Sequence, residues 1–165
     1  MSGRIVGALL LCAVAGGTAR AQSPVTLVRS LDVQLHVYQP TRSQGFPTPL
    51  REVVRSKTRW DQIWDQLLPG WTEGGYKRPP VDFSREMLLV AGEGTFGTTG
   101  PDVHIDSVYA HGDTLFASLT SVVNWGRACL GGSEVTAPVD IVRVPTQTGP
   151  VIFVEHPKRN PACYD

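Results

Sequence analysis

The chain predicts a mainly β (α+β) fold, an antiparallel sheet or sandwich of about six or seven strands with one amphipathic helix packed on it. Three observations lead there. Short runs of alternating or wholly apolar residues recur with turn-forming residues between them. Only one segment spaces its apolar residues as a helix does. The 17 glycines and 13 prolines exceed the usual share without any G-X-Y period, which suits many turns rather than collagen or disorder. A length of 165 residues fits a single core. Lys and Arg equal Asp and Glu at 15 each, so no charge excess points to nucleic acid or an anionic membrane.

The first 21 residues read as a secretory signal peptide. Arg4 is the positive end, residues 5–15 are apolar, and Ala19-Arg20-Ala21 offers a small-x-small site for cleavage between Ala21 and Gln22. The apolar run is too short to span a bilayer as a helix. A lipid on Cys12 is the rival reading, but Leu11 is larger than a lipobox accepts before its cysteine. Cleavage leaves roughly 144 residues, moves the net charge to −2 by removing Arg4 and Arg20, and leaves Cys129 and Cys163. In an exported, periplasmic or extracellular chain those two cysteines are expected to form one disulfide.

Residues 22–30 read as a short leader, and residues 33–38 alternate as a half-buried strand. Residues 39–49 form a proline-rich loop, and residues 50–55 resume a strand on an edge. In the helix that follows, Thr58 is the expected cap and Asp61 the partner of the first-turn amides. Trp60, Ile63, Trp64 and Leu67 share one face, and Pro69-Gly70 ends the segment. The run 86–91 suits a central strand. Strands at 103–109 and 114–123 flank a turn at His111-Gly112-Asp113, and strands at 139–144 and 151–154 are expected to close the chain as a hairpin.

Few residues suggest chemistry. Gly92-Glu93-Gly94-Thr95-Phe96-Gly97 matches GxGxxG, but a strand-like run follows it where a phosphate-binding helix would be needed. No dinucleotide, cofactor or metal is therefore expected. His104 and Asp106, two apart on a strand, are the best candidates for a small or metal-assisted hydrolase, with Asp82 as a third member. Asp82 more simply bonds neighbouring backbone amides. Trp60 and Trp64 could form a peptide- or sugar-binding platform, but packing on the sheet explains them more simply. No Gly-x-Ser-x-Gly, His-Glu-x-x-His or Ser-x-x-Lys pattern occurs.

Pro80-Val81-Asp82-Phe83, the strand through Ala91 and the Gly/Thr-rich loop after it resemble the PrcB-type C-terminal domain family. The upstream helix and the later runs 137–145 and 151–154 extend the likeness over residues 50–163. That divides the chain into a signal peptide (1–21), a leader and strand (22–49) and the PrcB-like domain (50–165). The resemblance implies a non-catalytic accessory subunit that binds or stabilises another exported protein, a protease among the candidates. Its partner surface is expected on the loops, at Phe96, Thr98, Thr99, Trp125, Trp71 and Tyr76, where aromatic residues are common interface anchors. This chain reads Gly97-Thr98-Thr99-Gly100-Pro101 where the family usually has Gly-Gly-Tyr, so its partner is expected to differ.

Overall fold

The computed structural model describes residues 22–26, 28–37, 45–67, 78–124, 128–129, 132 and 135–164, with backbone alone at 28–37 and 128. Ten strands and one helix occur among them: β1 (Ser23–Val25), β2 (Val28–Val37), β3 (Pro49–Val54), α1 (Lys57–Leu67), β4 (Glu86–Glu93), β5 (Asp102–His111), β6 (Thr114–Val123), β7 (Ala128–Cys129), β8 (Val135–Pro145), β9 (Val151–Arg159) and β10 (Cys163–Tyr164). Two four-stranded sheets, ordered β1-β5-β6-β9 and β2-β8-β4-β3, face each other, and β10 pairs with β7 in a small third sheet. The expected mainly β sandwich with one helix is therefore present, with more strands than the sequence suggested.

Strand alternation builds three layers. Met87, Leu89, Val142 and Val144 meet Val103, Ile105, Val108, Leu115, Ala117 and Leu119 between the sheets. The opposite parity of the second sheet, with Leu88, Val90, Val139 and Ile141, receives Trp60, Ile63, Trp64 and Leu67 of α1. Trp60 and Trp64 are 1% and 7% exposed and meet edge to face, so they pack the helix and offer no sugar platform.

Several local expectations are corrected. Ser56 rather than Thr58 caps the helix, its Oγ accepting from Arg59 N at 3.3 Å and its carbonyl from Trp60 N. Asp61 turns away from the amides and accepts from Lys57 Nζ at 2.7 Å and Arg78 Nη1 at 2.5 Å. The Lys57 hydrogen bond, with Arg78 close by, holds its carboxyl below the ordinary range. Within the expected leader, residues 23–25 form β1 and pair with β5. The closing hairpin does not form. β8 lies in one sheet, while β9 crosses to the other and runs parallel to β6, from Leu115 beside Val151 to Val123 beside Arg159. The turn around Gly149 thus joins the two sheets, a connection that the alternation of each strand alone does not reveal.

Polar straps close the open side of the sandwich, where edge strands β3 and β9 lie. Arg51 reaches from β3 to Glu93 at the end of β4 and to Glu155 of β9, and also donates to the Leu50 and Gly92 carbonyls. Ser121 Oγ donates to the same Glu93 at 2.8 Å. Farther along, Arg55 donates to the carbonyls of Gln147 and Gly149.

Because α1 docks through one buried face, Trp60→Ala is expected to lower the unfolding free energy by about 3–5 kcal/mol in denaturant titrations. The exposed Gln66→Ala should change it by less than about 0.5 kcal/mol.

Candidate functional site

The glycine loop after β4 is fastened to the body of the domain at almost every residue. Gly94, at φ 88°, turns the chain out of β4, and no helix follows before β5. Thr95 Oγ1 donates to the Phe46 carbonyl at 3.2 Å. Phe96 and Thr136 exchange two backbone hydrogen bonds of 2.8 and 2.9 Å, an isolated rung against β8. Thr98 accepts twice, at its carbonyl from Thr136 Oγ1 (2.9 Å) and at its Oγ1 from Asn124 Nδ2 (3.0 Å). Thr99 exchanges bonds with Gly132: its N–H reaches the Gly132 carbonyl at 3.1 Å, and Gly132 N donates to Thr99 Oγ1 at 2.8 Å.

Behind this loop lies Asn160, only 5% exposed. Its Nδ2 donates to Asn124 Oδ1 at 2.8 Å, and its Oδ1 accepts from Ala162 N at 2.9 Å. Its backbone donates to the Val123 carbonyl and accepts from Cys163 N. Gly100, at φ 115°, backs directly onto it, since a Cβ there would lie 2.2 Å from Asn160 Nδ2. The expected disulfide then joins Cys129 to Cys163 and pins β10 on β7. Loop 94–100, Asn124, Gly132, Thr136 and the tail 160–164 thus form one cluster at one end of the sandwich.

Phe96, Thr98 and Thr99 gather on this end, Phe96 and Thr99 half-buried and Thr98 exposed. Tyr164, 55% exposed, lies on the same disulfide-tied tail. Trp71, Tyr76 and Trp125, expected on the same surface, lie outside the described residues, as do Ala21 and Cys12, while Gln22 is the first described residue. Asn124 and Asn160 were not singled out from the sequence. The only signal was the Asn160-Pro161 dipeptide, which marks a turn but not the buried amide inside it.

The candidate hydrolytic residues are engaged elsewhere. Asp106 is the extra residue of a β-bulge, where Ile105 pairs with Leu119 but Ser107 with Ser118. Its carboxylate accepts from Thr120 Oγ1 at 2.8 Å, whereas His104 Nε2 meets Asp102 Oδ2 at 2.8 Å. Asp82 binds its own turn, as expected, accepting from Ser84 Oγ (2.6 Å) and Ser84 N (3.1 Å). The first of these bonds, then the second, holds its carboxyl below the ordinary range. It borders an open cleft of about 550 Å³ with Thr26, Arg85, Glu86, Arg143, Val144 and Pro145. There Glu86 faces Arg143 at 3.7 Å. No three His, Cys, Asp or Glu side chains among the described residues are placed to hold a metal ion, and no helix among them is long and apolar enough to cross a membrane.

If the disulfide and Asn160 together hold the loop, replacing both cysteines by alanine should cost about 3–4 kcal/mol for a loop of this length. Amide exchange at Phe96, Thr99 and Asn160 should quicken, while exchange in the central strand β4 keeps its rank as the slowest. Comparison with family models, curated proteins and solved structures finds no match to this chain.

Proposed function

We propose that the chain is an exported, non-catalytic interaction module that binds or stabilises another exported protein through the disulfide-stapled loop end. A protease is the candidate partner suggested by its resemblance to the PrcB-type C-terminal domain. The observation that carries the proposal is the character of loop 94–100. Its sequence, Gly-Thr-Phe-Gly-Thr-Thr-Gly, has no titratable side chain, so it brings no acid, base or thiolate to a reaction. Hydrogen bonds to Phe46, Asn124, Gly132 and Thr136 nevertheless fix it in place. A surface already ordered before its partner arrives loses less conformational entropy on binding, which favours affinity. Phe96 supplies an aromatic anchor and Thr98 an exposed hydroxyl beside it. The disulfide is in keeping with an oxidising compartment.

Export is tested by the N-terminus of the protein recovered from the producing cell, which is expected to begin at Gln22. Binding is tested by placing a photo-crosslinking residue at position 98 and identifying the adduct. The same partner should then bind the purified wild type at least about tenfold more tightly than Thr98→Arg or Phe96→Ala, the loss expected for an interface anchor. Circular dichroism confirms that both variants fold. A partner held equally well by all three proteins rules out this surface.

A further inference from the structure

We propose that two copies of this chain pair edge to edge through the first half of β9, joining their β1-β5-β6-β9 sheets into one continuous eight-stranded sheet. This goes beyond the loop-end reading and uses a different surface.

The inference begins with the direction of backbone groups. Leu115 N donates to the Pro150 carbonyl at one end of the parallel β6/β9 pair, and Asn160 N donates to the Val123 carbonyl at the other. These two bonds fix the parity of the whole strand. Even-numbered residues from 150 to 160 direct their N–H and C=O groups to β6. Val151, Phe153 and Glu155 therefore direct theirs away from the sheet, on a side where no strand pairs among the described residues. Pro157 has the same outward parity, so its missing N–H costs the β6 ladder nothing and interrupts the outward row of donors. What remains is a short open template at 151–155, and a row of main-chain donors and acceptors is matched by another extended main chain.

The template is self-complementary. An antiparallel copy related by a twofold axis through Phe153 sets Phe153 opposite Phe153 and Val151 opposite Glu155, all with outward-facing backbone groups. Six main-chain hydrogen bonds follow from that register. On the outer face the same register sets Ile152 opposite Val154, twice. Ile152, 46% exposed, is one of only two strongly exposed large apolar side chains among the described residues. The partly buried Phe153, already packed at the margin of the inter-sheet core, would meet its counterpart on the inner face. His156 and Lys158 of one copy reach turn 148–150 of the other, where Gly149 packs against the Asp113 backbone and Arg55 holds the Gln147 and Gly149 carbonyls, and Glu155 keeps its own Arg51. The antiparallel arrangement leaves the two stapled loop ends pointing in opposite directions, both open to partners.

Sedimentation velocity over a wide concentration range tests this on the purified chain. A monomer–dimer equilibrium is expected for the wild type. Ile152→Lys and Val154→Glu should each raise the dissociation constant by about tenfold, because each sets a charge opposite an apolar side chain in both of the symmetry-related cross-strand pairs. The double variant Ile152→Lys/Val154→Glu should recover most of that loss, since each new ammonium then faces a new carboxylate across the twofold axis. A chain monomeric at every concentration, a dimer indifferent to both single changes, or a double variant no better than the single ones overturns the proposal.

Discussion

A carboxylate buried between the sheets governs the register of this fold. Asp140 is fully buried on β8, on the face that Val142 and Val144 also present to the opposite sheet. Its Oδ2 accepts the Ile105 N–H at 2.7 Å. That amide stands at the β-bulge of β5, where the ladder to β6 is interrupted and an unsatisfied donor would cost about 1–3 kcal/mol. The bulge changes the inward step of β5 from two residues to three, so Val103, Ile105 and Val108 all reach the core. This side-chain bond ties β8 of one sheet to β5 of the other and stabilises the irregularity that keeps β5 amphipathic along its whole length.

The same device recurs wherever a polar residue is buried. Ser121 ties β6 to Glu93 of β4, and Thr136 ties β8 to the glycine loop. Asn160 ties the C-terminal tail to Asn124 at the end of β6. Together with Asp140 these are the buried polar residues among those described, and each joins elements distant in sequence. Apolar packing supplies most of the driving force for such a sandwich, but it is non-directional. Hydrogen bonds at defined points add the register that packing alone leaves loose. The loop end proposed as the binding surface is the densest of these tied regions.

Much of this was legible in the sequence, because alternation and helical spacing report directly on burial. The spacing of Trp60, Ile63, Trp64 and Leu67 sets them on one helical face, and they pack together. The apolar run at 86–91 suits a central strand, and β4 lies between β8 and β3. Cys129 and Cys163 were expected to pair, and they do. What escaped was information that no local pattern carries. The crossing of β9 to the other sheet depends on where its neighbours lie, so a short glycine turn read as a hairpin. The bulge at Asp106 reads in the sequence as ordinary alternation, which is why Asp106 and His104 suggested a pair although each binds another partner. Asp140 stands alone in the apolar run Val139-Asp140-Ile141-Val142, a departure from pattern visible in the sequence but not interpretable without the opposite sheet.

The sandwich, the disulfide-tied loop end and the β9 edge are parts of one fold. All three rest on the two sheets keeping their register. The most direct measurement is equilibrium unfolding of Asp140→Ala, together with hydrogen exchange at the Ile105 amide. A loss of about 1–3 kcal/mol is expected, with the Ile105 amide exchanging faster and Asp140→Asn, which keeps an acceptor oxygen, losing less. An Asp140→Ala protein as stable as the wild type, with Ile105 equally protected, would contradict the central place given to this bond.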